Sequence, residues 1–279
     1  MADVLKVACV QLTATSDVAT NIALSTDAVR AAQGTGAALV TLPEVVNLVQ
    51  QRGNLAIEAA STEDNDPALA AYRALAAELG VWLLVGSLAI KLEDDDRLAN
   101  RSYLLNGSGE IVDWYDKIHM FDVNLANGRT FKESETYRPG DRAVVADTPW
   151  GLLGMTVCYD VRFPYLYRRL AHAGARMLAV PSAFNRRTGD AHWHVLMRSR
   201  AIETGCYIIA PAQCGDHDDG RKTYGHSLIV APWGEVLADG GTEPGIVTAE
   251  LDFDAIDKAR SMIPSLEHDR DITVDASNS

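Results

Sequence analysis

The stretch Leu152-Leu-Gly-Met-Thr-Val-Cys-Tyr-Asp-Val-Arg-Phe-Pro164 decides how the rest of the chain is read. Leu152 to Val157 is short, mostly apolar and bounded by turn residues, the pattern of a buried strand. From Pro164 the spacing turns helical: Leu166, Tyr167 and Leu170 share one face, and Gly174 follows the last turn. Proline in the first turn and glycine just past the end is the expected asymmetry of a helix. Cys158 therefore stands where a strand gives way to a helix, a place where a side chain is presented at a sheet edge beside free N–H groups. Taken alone, such a cysteine is most simply core packing. Its company at other strand ends argues for chemistry instead.

Outward from this stretch, strands and helices alternate. Lys6 to Leu12 reads as a strand, Asn21 to Gln33 as a helix with Ile22 and Val29 inward, and Ala37 to Leu42 as a strand ending at Pro43-Glu44. Asp66-Pro67 makes a helix start for the face Leu69, Tyr72, Leu75, Ala76 and Leu79, with Gly80 as its stop. Val81 to Val85 follows as a strand, and Glu93-Asp-Asp-Asp96 as a solvated turn. Ser102 to Leu105 and Ile111 to Tyr115, joined by Asn106-Gly107-Ser108-Gly109, form a hairpin. The irregular run from Lys117 to Gly140 is too long for a plain connector and is expected to be functional. Beyond the quoted stretch come a strand at Met177 to Pro181 and a helix from about Ala191 to Thr204. Strands at Tyr207 to Ala210, Ser227 to Val230, Glu235 to Ala238 and Ile246 to Leu251 close the pattern, with a short helix and a polar tail after them. The mixture implies α/β layers with a mixed sheet or two sheets, and no linker divides residues 1–279, which are read as one domain.

Composition narrows the function. The chain has 279 residues, 47% of them hydrophobic, with a formal net charge of −13 and a sequence pI of about 4.9. Such a chain repels nucleic acid and anionic membranes in bulk, so a substrate carboxylate would need a local arginine. No apolar run approaches the ~18 residues of a membrane span. Met1-Ala-Asp-Val4 leads almost directly into a strand, so no signal peptide is expected. Cys9, Cys158, Cys206 and Cys214 form no metal-binding ladder, which suggests a reducing cytoplasm and no structural metal.

Three chemically distinct residues share one structural address. Glu44 follows the strand ending at Leu42, Lys117 follows the one ending at Tyr115, and Cys158 follows the one ending at Val157. Ligands of α/β sheets bind at the carboxyl ends of strands, so an acid, an ammonium and a thiol placed there can meet in one crevice. Singly, Glu44 and Lys117 read as solvated loop charges.

The strings Thr41-Leu-Pro-Glu44, Asp116-Lys-Ile-His-Met-Phe-Asp122 and Val157-Cys-Tyr-Asp-Val-Arg-Phe-Pro164 closely resemble the three catalytic blocks of the nitrilase (carbon–nitrogen hydrolase) superfamily, in that family's order. Pro181-Ser-Ala-Phe-Asn185, Thr188-Gly-Asp-Ala-His-Trp193, Arg198-Ser-Arg-Ala-Ile-Glu-Thr204 and Tyr224-Gly-His-Ser227 look like the branch containing the deaminated-glutathione amidase and ω-amidase. The resemblance implies a four-layer αββα sandwich with two mixed sheets, dimerising through the helical layer near the nucleophile. It also implies a Glu44–Lys117–Cys158 triad with a second glutamate, which Thr130-Phe-Lys-Glu-Ser134 assigns to Glu133, with Glu135 as the fallback. By the same resemblance Arg162 grips the substrate's α-keto-carboxylate, and Phe184, Thr188 and the segment around Tyr224 line the pocket.

The residue types suit amide hydrolysis. A free thiol is only a few per cent thiolate at neutral pH, so Glu44 as an adjacent base is useful to Cys158. The oxyanion needs fixed positive charge, for which the Lys117 ammonium and the Tyr159 N–H are the expected donors. The expected reaction is cleavage of a small α-keto-dicarboxylate amide through a thioester. Deaminated glutathione is the first candidate, partly on the string Tyr207-Ile-Ile-Ala-Pro-Ala-Gln-Cys-Gly215; an ω-amidase or a general amidase or carbamoylase is the alternative. No metal or organic cofactor is called for. Arg162 at a helix start reads equally as a surface or interface residue. A metal-dependent hydrolase would rest on His192 and His194, or on Cys214, Asp216, His217 and Asp218. Two histidines two apart on a helix face different ways, and the Cys214 to Gly220 segment reads as a polar turn. A silent interaction protein on the same fold is the third possibility.

Overall fold

The computed structural model describes residues 4–124 and 130–274. Two sheets carry the molecule. In the first, the strands lie in the order Gly245–Asp252, Val4–Gln11, Leu39–Thr41, Trp82–Lys91, Leu98–Leu105 and Ile111–Asp116. Its centre is parallel, because the helices Val18–Gly34 and Pro67–Leu79 cross back over one face; its margins are antiparallel. The second sheet runs Val236–Asp239, Leu228–Val230, Tyr207–Ala210, Met177–Ala179, Leu153–Met155 and Val144–Ala146. Here the helices Pro164–His172 and Arg186–Thr204 make the parallel crossovers.

Alternation along the strands sets the layers. Leu5, Val7 and Cys9 join one core cluster with Met155, Leu178, Ile208 and Leu228 of the second sheet. Ala8 and Val10 join another with Val29, Leu69, Tyr72 and Leu75 of the covering helices. Both faces are thus buried at the centre of each sheet, which is why strands such as Met177–Ala179 and Tyr207–Ala210 are apolar throughout, while the marginal strands Gly245–Asp252 and Val236–Asp239 stay mostly half-buried or exposed. The architecture is the αββα sandwich.

Helix boundaries follow local chemistry. Asp66 accepts the Leu69 N–H at 2.8 Å, Pro67 takes the first helical position and Gly80 leaves with φ +62°. Three expectations change: a helix start, a helix face and a turn. The helix expected from Ala191 begins at Arg186, capped by Asn185, whose side chain accepts the Arg187 N–H at 3.0 Å. Its first turns are polar and carry Gly189, where a Cβ would lie 2.3 Å from the Tyr224 ring, so close packing rather than periodicity keeps that stretch helical. In the first helix, Asn21 and Ser25 are fully buried alongside Val29, while Ile22 is only half-buried. The Asn21 amide bonds Thr15 and Asn47, and Ser25 meets the Tyr72 hydroxyl at 2.7 Å, so this face is satisfied by hydrogen bonds instead of apolar contact. The expected polar turn after Cys214 is a hairpin, Cys214–Asp216 paired with Lys222–Tyr224.

Within the described part of the tail, Asp269 accepts from Arg168 Nε at 2.9 Å and contacts His172 Nε2 at 2.8 Å. The acidic segment therefore docks at its start on the helix Pro164–His172; residues 275–279 lie outside the described residues. No described helix is long and apolar enough to cross a membrane.

Candidate active site

Each of the three strand ends is fixed by a separate device. The strand Trp82–Lys91 bulges between Val85 and Leu88, which frees Ser87. Its hydroxyl accepts the Val45 N–H at 2.8 Å and its carbonyl the Val46 N–H at 3.0 Å, just after Glu44. Val45 is held at φ +46°, a costly value for a β-branched residue. Gly86 makes the close approach feasible, since a Cβ there would lie 1.8 Å from the Leu42 carbonyl and 2.6 Å from Pro181. Gly86→Ala is accordingly expected to lower stability by about 3 kcal/mol and to displace Glu44. An unchanged denaturation midpoint with wild-type activity would refute that.

Cys158 opens a 3-10 turn, Cys158–Arg162, at φ +49°, and donates its N–H to the Pro181 carbonyl at 2.9 Å. Pro164 separates this turn from the helix Pro164–His172, because the residue before a proline avoids helical backbone. Asp160, fully buried, ties the turn to the lysine strand. Its carboxylate accepts the Val157 N–H at 2.8 Å, the Tyr115 hydroxyl at 2.7 Å and the His119 N–H at 3.0 Å. Lys117 sits between the last two of these partners' positions in sequence, its N–H bound to the Asn100 carbonyl at 3.0 Å.

The side chains converge. Lys117 Nζ donates to Glu44 Oε1 at 2.9 Å and to both oxygens of Glu133 at 2.8 Å. Glu44 Oε2 accepts the Ala183 N–H at 2.8 Å. Glu133 also accepts the Phe121 N–H at 2.6 Å. Glu135 instead is exposed and pairs with Lys132 at 2.9 Å, so the fallback position does not enter the site. Asn100 Nδ2 bridges Glu44 and Glu133 at 3.0 and 3.3 Å, while its buried Oδ1 has no partner among the described residues. Glu44, Lys117, Glu133 and Cys158 together line one cavity of about 170 Å³.

Burial dominates the electrostatics. It pushes the Cys158 thiol well up, and the Glu44 carboxylate adds to this while the Lys117 ammonium opposes it. Burial also works against the ionised Glu44, yet the charges of Lys117 and Arg221 prevail and its carboxyl ends below the usual range. Lys117 resists burial through Glu133 and Glu44 and is held well above an ordinary lysine. At neutral pH the group is therefore a carboxylate, an ammonium and a neutral thiol.

Of the expected substrate contacts, Tyr159, Phe184 and Thr188 line the cavity. The Tyr159 N–H has no acceptor among the described residues. Arg162 does not line the cavity: its guanidinium stands 5.3 Å from the Phe184 ring centre and 5.8 Å from that of Tyr159, with Nη1 3.3 Å from His192 Nδ1. It backs two lining aromatics at the rim. Arg221, which the sequence reading passed over, does line the cavity. The residues weighed for a metal lie apart. His217 spans Ala14 and Thr223, Asp216 pairs with Arg186 and Lys222, and Asp218 binds Ser16. His194 instead joins His226 on the Asp239 carboxylate at 3.0 and 2.8 Å, the one such trio among the described residues whose ligand atoms lie within 4.8 Å of one another.

Residues 6–261 match the carbon–nitrogen hydrolase family model, and the chain belongs to that family of enzymes, which hydrolyse carbon–nitrogen bonds. It is 40% identical to a deaminated glutathione amidase of Yersinia enterocolitica, over 84% of this chain and 82% of that protein. A mouse (Mus musculus) protein of the same name is 38% identical over 95% and 83%. Among solved structures, Nit3 of Saccharomyces cerevisiae, described as a member of branch 10 of the nitrilase superfamily, superposes with a TM-score of 0.86 at 30% identity, over 95% of this chain and 96% of that one. The NitFhit protein of C. elegans gives 0.91 at 35%, over 97% of this chain and 66% of that one.

Proposed function

We propose that the chain is a cysteine-dependent amidase that cleaves the side amide of a small α-keto-dicarboxylate, with deaminated glutathione, the substrate named for its relatives, as the first candidate. The observation that carries this is the Lys117 ammonium clasped between the Glu44 and Glu133 carboxylates, in the same cavity as the Cys158 thiol. Because that thiol is neutral at rest, its proton passes to Glu44 as sulfur attacks the amide carbon. Lys117 and the Tyr159 N–H take the oxyanion, where one such donor is typically worth ~10²–10³ in rate. Collapse breaks the C–N bond, and Glu44 gives its proton to the departing nitrogen. Water then loses a proton to Glu44, attacks the Cys158 thioester and releases the carboxylic acid and the thiol. Glu133 orients Lys117 and, with Asn100, keeps Glu44 in place. This route needs neither metal nor organic cofactor.

Arg162, behind the Tyr159 and Phe184 rings, is assigned to the keto-acid end. Arg162→Leu is expected to raise KM about tenfold for acidic acyl groups; neutral amides suffering equally would remove that role. Residues 1–279 are read as one catalytic unit, consistent with a core cluster shared by both sheets. A homodimer through the helical layer is supported by exposed Tyr165, Val195 and Ile202, and a reducing cytoplasm by four free cysteines. The test is a panel of deaminated glutathione, α-ketoglutaramate and simple aliphatic amides, assayed by amine and ammonia release with a chelator or iodoacetamide. Turnover that survives the chelator, dies with iodoacetamide and favours the first substrate is expected. Loss to the chelator, or no amide turned over, would overturn the reading.

A further inference from the structure

We propose that Arg221 is a carboxylate-binding residue on the leaving-amine side of the cavity, selecting amides whose departing amine ends in an acid, such as an amino acid or short peptide. This rests on the amidase reading above and adds to it a subsite distinct from Arg162. Arg221 lines the cavity, half-buried, and among the described residues no carboxylate forms an ion pair with it. Among the described residues its side chain makes one hydrogen bond, Nη2 to the Ala183 carbonyl at 2.8 Å. The remaining guanidinium N–H groups are left for a ligand, and a planar fork of donors matches a carboxylate. Other arginines behave differently: Arg101 is bidentate to Asp116 at 2.7 and 2.9 Å, and Arg186 reaches Asp216 at 2.6 Å. In a chain of net charge −13, a cavity arginine left without an acid is a specific departure.

The side is fixed by Ala183. Its N–H donates to Glu44 Oε2 at 2.8 Å while its carbonyl receives Arg221, so one residue separates the arginine from the catalytic carboxylate. Arg221 is also one of the two charges that hold the Glu44 carboxyl low. Glu44 delivers its proton to the departing nitrogen, so the leaving group must lie on this side. Arg162 stands behind the Tyr159 and Phe184 rings and does not line the cavity, so it leaves this side to Arg221. An amide whose departing amine carries an acid would thus gain a contact at Arg221 that a primary amide, which releases only ammonia, cannot make.

The bland account is that Arg221 merely struts the Ala183 carbonyl and tunes Glu44. A selectivity ratio separates the two accounts, because a strut or a tuned Glu44 affects every substrate alike. Two peptidyl amides with the same α-keto-acyl group are compared, one ending in a free carboxylate and one in a carboxamide. For Arg221→Leu the ratio of kcat/KM, acid over carboxamide, is expected to fall roughly ten- to a hundredfold from wild type, mainly through KM. Arg221→Lys should restore part of it. An unchanged ratio in Arg221→Leu, with both substrates slowed equally, overturns the assignment alone. A wild type that turns over α-ketoglutaramate but neither peptidyl amide overturns this subsite and leaves the amidase reading standing, whereas one that turns over none of the three overturns both.

Discussion

Cys158→Ala is expected to lower kcat by about 10⁴-fold or more while the folded state survives, since residues of a catalytic group act as a unit and losing the nucleophile forfeits the covalent route. The thiol is nearly buried and sits at φ +49°, so its removal costs little packing and leaves the backbone strain as it was. Cys158→Gly makes the sharper companion. Glycine adopts this φ without penalty, so that variant should be equally inactive and at least as stable as the alanine one. Treatment with iodoacetamide followed by mass spectrometry gives an independent readout. Cys9, Cys206 and Cys214 are wholly buried and line no part of the cavity, whereas Cys158 opens into it. The adduct should therefore map to Cys158 and vanish in the variant. Residual turnover above about a hundredth of wild type in Cys158→Ala would mean that sulfur is not the nucleophile.

The same geometry explains which parts of the site were legible in the sequence. Glu44, Lys117 and Cys158 each follow a strand whose end is marked by turn residues, and strand ends of an α/β sheet gather at one crevice. Glu133 was reachable only through family resemblance. It lies in a 3-10 turn after a three-residue strand, Thr130–Lys132, too short to leave a period in the sequence. Arg221 was missed for a related reason. Its hairpin has strands of three residues, mostly polar, and the Arg221 side chain turns inward through a contact with Ala183, far off in sequence. Asp160 carried a faint signal, an acid two residues past the cysteine, but its work is to join two remote loops through Tyr115 and His119. Pairings of that kind leave no local pattern. The buried Asn21 and Ser25 were hidden by the same rule in reverse, since hydrogen bonding satisfied a helix face that periodicity expects to be apolar.

Lys117→Met is expected to reduce kcat by about 10²–10³-fold through loss of an oxyanion donor, and further where Glu44 no longer ionises. The lysine is 2% exposed and shared by two carboxylates, so removing it strands them in a buried site, at a cost of about 3–5 kcal/mol at neutral pH. The pH dependence distinguishes this from a simple packing defect. In the wild type the Glu44 carboxyl lies below its ordinary value of 4.5, so its contribution to stability is present above that pH and lost as the pH falls through the lower, folded value. Without the ammonium, burial is left as the largest influence on Glu44 and raises its carboxyl. A raised acid stabilises the fold below its unfolded value and loses that contribution as the pH climbs. The stability difference between the two proteins should accordingly narrow from pH 7 toward pH 5, whereas a cavity alone would leave it independent of pH. Adding Glu133→Gln to Lys117→Met should restore a substantial part of the lost stability, since one stranded charge is gone, and none of the turnover. Denaturant midpoints for the single and double variants across that pH range decide the matter. A stability deficit independent of pH, unrelieved by the second substitution, would mean that the lysine is not the counter-ion that keeps Glu44 ionised.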